Sequence, residues 1–69
     1  MKIVEDDIKK YQGNILKVRL ENGNFLRGRF MEGVKLAEGY AIVIQSNTYT
    51  FQIEDKDIAE IDVIAEKRF

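Results

Sequence analysis

The sequence contains no cysteine, no histidine and no proline. Without cysteine there is no disulfide, no thiolate nucleophile and no cysteine-ligated zinc or iron–sulfur site. Without histidine the commonest general base and metal ligand is missing. The lack of proline, beside 45% hydrophobic residues, argues against a disordered linker. No apolar run approaches the roughly 20 residues of a membrane-spanning helix. Met1 to Asp7 lacks the apolar stretch of a signal peptide. The absent disulfides fit a reducing compartment, so a cytoplasmic location away from membranes is expected. The 69 residues form one domain, 1–69, and at that size a chain buries only about 60% of its unfolded surface. A deep catalytic cleft is not expected.

The motifs of catalysis are missing too. There is no glycine-rich phosphate loop, no nucleophile elbow and no paired catalytic constellation. Glu5-Asp6-Asp7 and the pair Asp55 and Asp57 offer oxygen ligands, but not at the spacing of a calcium loop. Solubility of a helix and a corner explains them better. The expectation is a protein that is not an enzyme and holds no cofactor and no metal.

Charge is balanced overall and unevenly distributed. Eleven basic residues face twelve acidic ones, net −1. Residues 14–36 carry five basic against two acidic residues, and residues 37–69 carry three against seven. Near-neutral net charge does not favour nonspecific binding to nucleic acid. The segregation leaves three readings open: a basic strand pair facing phosphate, a basic half meeting the acidic half of a neighbouring copy, or solvated faces of a small domain.

Hydrophobic spacing divides the chain at Gly13. Val4, Ile8 and Tyr11 fall on one helical face. Early Glu5, Asp6 and Asp7 and late Lys9 and Lys10 suit the helix dipole, so a helix over about 4–12 is predicted. Beyond Gly13 the period becomes 2. Leu16, Val18 and Leu20 alternate with Lys17, Arg19 and Glu21, and Asn22-Gly23 is a strong hairpin signal that tolerates positive φ at both centres. Leu26, Gly28 and Phe30 then point inward against Arg27 and Arg29, and Gly28 marks a bend or a close backbone approach. Residues 32–39 break the alternation and read as a loop. Tyr40, Ile42 and Ile44, with Ala41 and Val43 opposite, predict a strand covered on both faces, either central or at an interface. Ser46-Asn47 turns the chain. Tyr49, Phe51 and Ile53 alternate with Thr48, Thr50 and Gln52, and Ile58 to Ile64 alternates imperfectly.

The predicted strands are about 14–21, 24–31, 39–45, 48–53 and 58–64. Five strands this short bury one core only if the sheet is strongly bent. The expected class is all-β: a short N-terminal helix followed by a five-stranded, strongly bent antiparallel sheet, nearly closing as an SH3-like barrel.

Gly13 to Phe30, with its leading glycine, alternating apolar residues, Asn22-Gly23 turn and Gly28, resembles the first sequence motif of the Sm-like proteins, which include bacterial Hfq. The helix and later strands extend the resemblance over residues 4–64. It implies a homo-oligomeric ring, with about five to seven copies closing by rotation, in which the fourth strand of one subunit pairs with the fifth of the next. Independently, apolar edge strands left open on a tiny barrel are an aggregation hazard. Tyr49, Phe51 and Ile53 on one edge and Ile58, Ile61 and Val63 on the other are the candidate interface. Pairing of both strands within the subunit is the alternative.

The chain departs from the second Sm motif. Glu54 and Asp55 stand where the family has Arg-Gly, and Asp55 and Lys56 where Hfq has Lys-His. An acidic corner repels phosphate. Glu38 sits near the expected acidic position before strand three, but no asparagine follows it. Nucleic-acid binding therefore falls to other residues. Tyr40 is the stacking candidate, since it resembles a loop-proximal aromatic of Hfq, while Lys35, Arg27, Arg29 and Lys56 are phosphate candidates. A half-buried core tyrosine and solvated strand charges are the alternatives, and Lys56 can simply pair with its acidic neighbours.

Two functions are thus expected of this sequence. One is a ring binding single-stranded RNA, or DNA, by stacking and phosphate contacts. The other is a structural or adaptor oligomer for a protein partner.

Overall fold

The change of period at Gly13 is where the one helix gives way to sheet. The computed structural model describes residues 1–66, and side chains for 1–64. Lys67 and Arg68, counted above with the acidic half, lie outside the described residues. The elements run α1 (Glu5–Tyr11), β1 (Asn14–Leu20), β2 (Phe25–Lys35), β3 (Tyr40–Ser46), β4 (Tyr49–Glu54), a short 3-10 turn (Asp55–Asp57) and β5 (Ile58–Glu66). The strands form one antiparallel sheet in the order β4-β3-β2-β1-β5. Among the described residues no helix is long and apolar enough to cross a membrane.

The sheet bends but does not close. β4 and β5 are its two open edges, so the barrel expected to close nearly on itself stays open. Strand β2 makes the bend, pairing with β1 through Phe25 to Arg29 and with β3 through Arg29 to Lys35. Gly28 is the pivot. A Cβ there would stand 2.6 Å from the Gln45 carbonyl oxygen, because β3 curls over the inner face of β2.

Residues 32–35, expected in a loop, continue β2. A bulge between Phe30 and Glu32 shifts the register and exchanges the faces. That is why the alternation breaks although the strand does not. Only residues 36–39 turn, closed by a Leu36 N–H to Gly39 carbonyl bond of 3.0 Å. Two further register shifts in β5, at Ala59 and Ile64, account for its imperfect alternation. The first hairpin also differs from expectation. Gly23 alone has positive φ (92°), and Gly23 N–H bonds to the Leu20 carbonyl while Leu20 N–H bonds to that of Asn24. This is a three-residue loop closed by a left-handed glycine, not a two-residue turn.

The core lies between the halves of the bent sheet: Leu16, Val18, Phe30, Ile42, Ile44, Ile53 and Ile58. Ala41 and Val43 are also buried, between Glu32 and Val34 on β2 and Gln52 and Glu54 on β4. Both faces of β3 are thus buried within the single chain, with no interface needed. Helix α1 covers one end of the core. Ile8 seats on Gly33, and Tyr11 meets Phe30 with ring centroids 5.8 Å apart. Burial, and then the charge of Asp7, raises the Tyr11 phenol above its ordinary pKa. Val4, placed by periodicity on the buried face, is the exposed N-cap, and Ile3 enters the core in its stead.

Candidate nucleic-acid interface

Lys35 and Tyr40 flank the residue 36–39 turn and are cross-strand partners. Strand pairing therefore brings these two candidates together: Lys35 Nζ lies 4.8 Å from the centroid of the Tyr40 ring, a cation–π distance. The ring is half-buried against the core. Tyr40 is thus a half-buried tyrosine near the loop with a cation over its ring.

The acidic corner is the largest departure from expectation. Asp55 is only 9% exposed. Its Oδ2 accepts the backbone N–H of Tyr40 at 3.1 Å and that of Ile3 at 3.4 Å. One carboxylate therefore ties the chain entering α1 to the start of β3 and to the corner itself. The Tyr40 N–H does most to hold its pKa below the ordinary 3.8, burial opposes, and the N–H groups of Ile3 and Lys56 and the Met1 ammonium add to the lowering. Gly39, at φ +86°, is needed beside it, because a Cβ there would run into that carboxylate. The Met1 amino group closes the corner, donating to the carbonyls of Asp55 (3.1 Å) and Ile58 (2.8 Å). Asp55 is thus a structural acceptor and is not presented to a ligand. Lys56 is exposed, with its Nζ 4.0 Å from Glu54, and Asp57 is exposed on the same turn.

Arg27 and Arg29 stand elsewhere, on the outer face of the β1–β2 hairpin. Arg29 lies six residues before Lys35 on β2, about 20 Å along an extended strand. Alternation places Phe25, Arg27 and Arg29 on this face, opposite Arg19, Lys17 and Ile15 of β1. Phe25 is 55% exposed, and Lys17 Nζ lies 4.6 Å from its ring centroid. β5 adds Glu60 and Asp62 opposite Arg19 and Lys17, and Arg19 pairs with Glu60 at 3.5 Å. Arg29 Nη2 donates to Gln45 Oε1 at 2.8 Å. Among the described residues, Lys17, Arg27 and Arg29 have no carboxylate partner within ion-pair distance.

Sequence reasoning nominated the two arginines but overlooked Phe25, Lys17 and Gln45 beside them. The signal for Phe25 and Lys17 was present in the period of 2 that already placed Lys17, Arg27 and Arg29 outward. Gln45 gave none, since its approach depends on the bend at Gly28. An exposed ring among guanidinium forks offers a stacking surface and phosphate donors together.

The open edges sort the interface candidates. Tyr49 is 68% exposed, with its ring 6.4 Å from that of half-buried Phe51. Val63 is 49% exposed and Ile61 half-buried. Ile53 and Ile58, at 8% and 0% exposure, lie in the subunit's own core, so at an edge they offer backbone and not side chain. Ile64, 43% exposed at a bulge, was not foreseen.

Among the described residues no cluster of three or more acidic side chains is placed to hold a metal ion. Against known families, curated proteins and solved structures the chain gives no significant match.

Proposed function

We propose that the chain is a non-catalytic module of the Sm-like type that assembles edge to edge and holds single-stranded RNA on the outer face of its β1–β2 hairpin. The observation that carries this reading is the meeting of Phe25, Lys17, Arg27 and Arg29 on one solvent-facing surface. A base stacked on an aromatic ring contributes about 1–3 kcal/mol and tolerates any sequence. Arg27, Arg29 and Lys17 supply phosphate contacts, none of them held in an ion pair among the described residues, with Asp62 as the cross-strand carboxylate opposite Lys17. The assembly part is supported by the strand order, which leaves β4 and β5 open. It is also supported by Tyr49, Val63 and Ile64, exposed on those strands. Unprotected apolar edges of this kind favour pairing with another copy.

The test combines native mass spectrometry with RNA titration over a range of salt. A closed oligomer of about five to seven copies is expected. Three phosphate contacts per subunit predict a slope of about −2 in log affinity against log salt. A bare monomer removes the ring, and failure to retain RNA removes the binding reading. An adaptor role for a protein partner is the second reading. It is favoured by the net charge of −1 and by the packing of Tyr40 against the core. Apolar protein contact depends little on salt, so the same titration separates the two.

A further inference from the structure

Beside the hairpin face, β2 and the β3–β4 turn border a shallow, open depression of about 480 Å³, lined by Ile15, Arg27, Gly28, Arg29, Gln45, Ser46 and Asn47. That volume suits a small planar ligand. Its polar walls have a definite sense. An arginine side chain has donors and no acceptor, so the part of the Gln45 amide that meets Arg29 must be its oxygen. The amide nitrogen, with two N–H donors, is then left over. Among the described residues neither that nitrogen nor the Arg27 guanidinium has a hydrogen-bonding partner. The Ser46 hydroxyl and the Asn47 amide turn to suit either kind of partner. The oriented groups therefore all donate.

We infer that this depression selects guanine over adenine in a bound single strand. The inference rests on the RNA-binding reading above and adds a base preference to it. Guanine presents two neighbouring acceptors, O6 and N7, on the edge opposite its pairing partner, and an arginine fork meets both. Adenine presents N7 beside an amino group, so an arginine fork on the same edge opposes that amino group with another donor. The fork therefore gains two bonds on guanine and one on adenine. Gly28 is part of the device, because only a residue without a side chain lets the Gln45 backbone lie close enough to bring its amide to Arg29.

The experiment is fluorescence anisotropy of the full chain with two labelled 12-mers, one all adenosine and one with guanosine at every third position. The guanosine strand is expected to bind about five- to a hundredfold tighter. Arg29→Lys keeps the charge but loses the fork. It should lower affinity for the guanosine strand to that for the adenosine strand and so erase the preference, with circular dichroism checking that the variant is folded. Equal affinity of the parent protein for both strands overturns the guanine selection and leaves RNA binding standing. A preference that survives in Arg29→Lys overturns the assignment to this depression. Binding to neither strand overturns the underlying reading and the inference with it.

Discussion

The two ends of β2 carry similar charged residues and use them in opposite ways. At the Lys35 end the charges are turned inward or onto each other: Asp55 onto backbone N–H groups, Lys35 onto the Tyr40 ring, Lys56 toward Glu54. At the Phe25 end Arg27 is exposed, Lys17 rests on an exposed ring, and Arg29 is held only by a neutral amide. The first arrangement holds the fold together, and the second leaves donors without ion-pair partners among the described residues. Charge counted along the sequence does not separate these cases. The groups that the fold brings beside each charge do.

This contrast predicts its largest effect at the structural end. Asp55→Ala strands two buried N–H groups from distant segments and should cost about 2–4 kcal/mol in urea unfolding. Its pH dependence has a definite sign. The folded pKa lies below the ordinary value, so the carboxylate's contribution is fully present above about pH 4 and is lost as pH falls through the lowered folded value. Asp55→Asn, which keeps an acceptor without the charge, should flatten that acid limb. An unchanged limb would mean that another group sets it.

Gly28→Ala tests the junction between the two ends. The new methyl would be pressed into the Gln45 backbone, an overpacking that costs about 1–3 kcal/mol. Retained stability would show that the bend relaxes freely.

At the Phe25 end, the proposed RNA surface predicts that Arg27→Ala leaves the unfolding midpoint in place and weakens RNA binding by about tenfold, with a shallower salt slope. The double variant Lys35→Ala, Tyr40→Ala should have the smaller effect on RNA, since the Tyr40 ring is packed against the core whereas Phe25 is 55% exposed. If the double variant instead abolishes RNA retention while assembly persists, the loop corner is the site and the contrast fails. The smallest effect is expected for Lys56→Ala, within about 0.5 kcal/mol in stability, because its ion pair is solvent-exposed.

Most of the fold was legible because its signals are local. The switch from a helical period to a period of 2, the Asn22-Gly23 loop and the glycine at 28 each depend on a few neighbouring residues. The misplaced features depend on one extra residue. Met31, Ala59 and Ile64 lie at register shifts, and each reverses the faces of the residues after it. Reading outward from Arg27 and Arg29 identified half of the candidate site. Gln45 stayed hidden because it comes from a strand sixteen residues away and arrives only through the bend.

By itself, the sequence determined the helix, the five strands, the inward and outward residues of the first hairpin and the exclusion of cysteine and histidine chemistry. These follow from composition and short-range spacing. Tertiary structure alone decided that Asp55 turns inward, that Ile53 and Ile58 belong to the core while Tyr49 and Val63 stay exposed, and that Arg29 meets Gln45. The reason is physical. A side chain's role depends on which donors and surfaces reach it, and for Asp55 those come from residues 15 and 52 positions away.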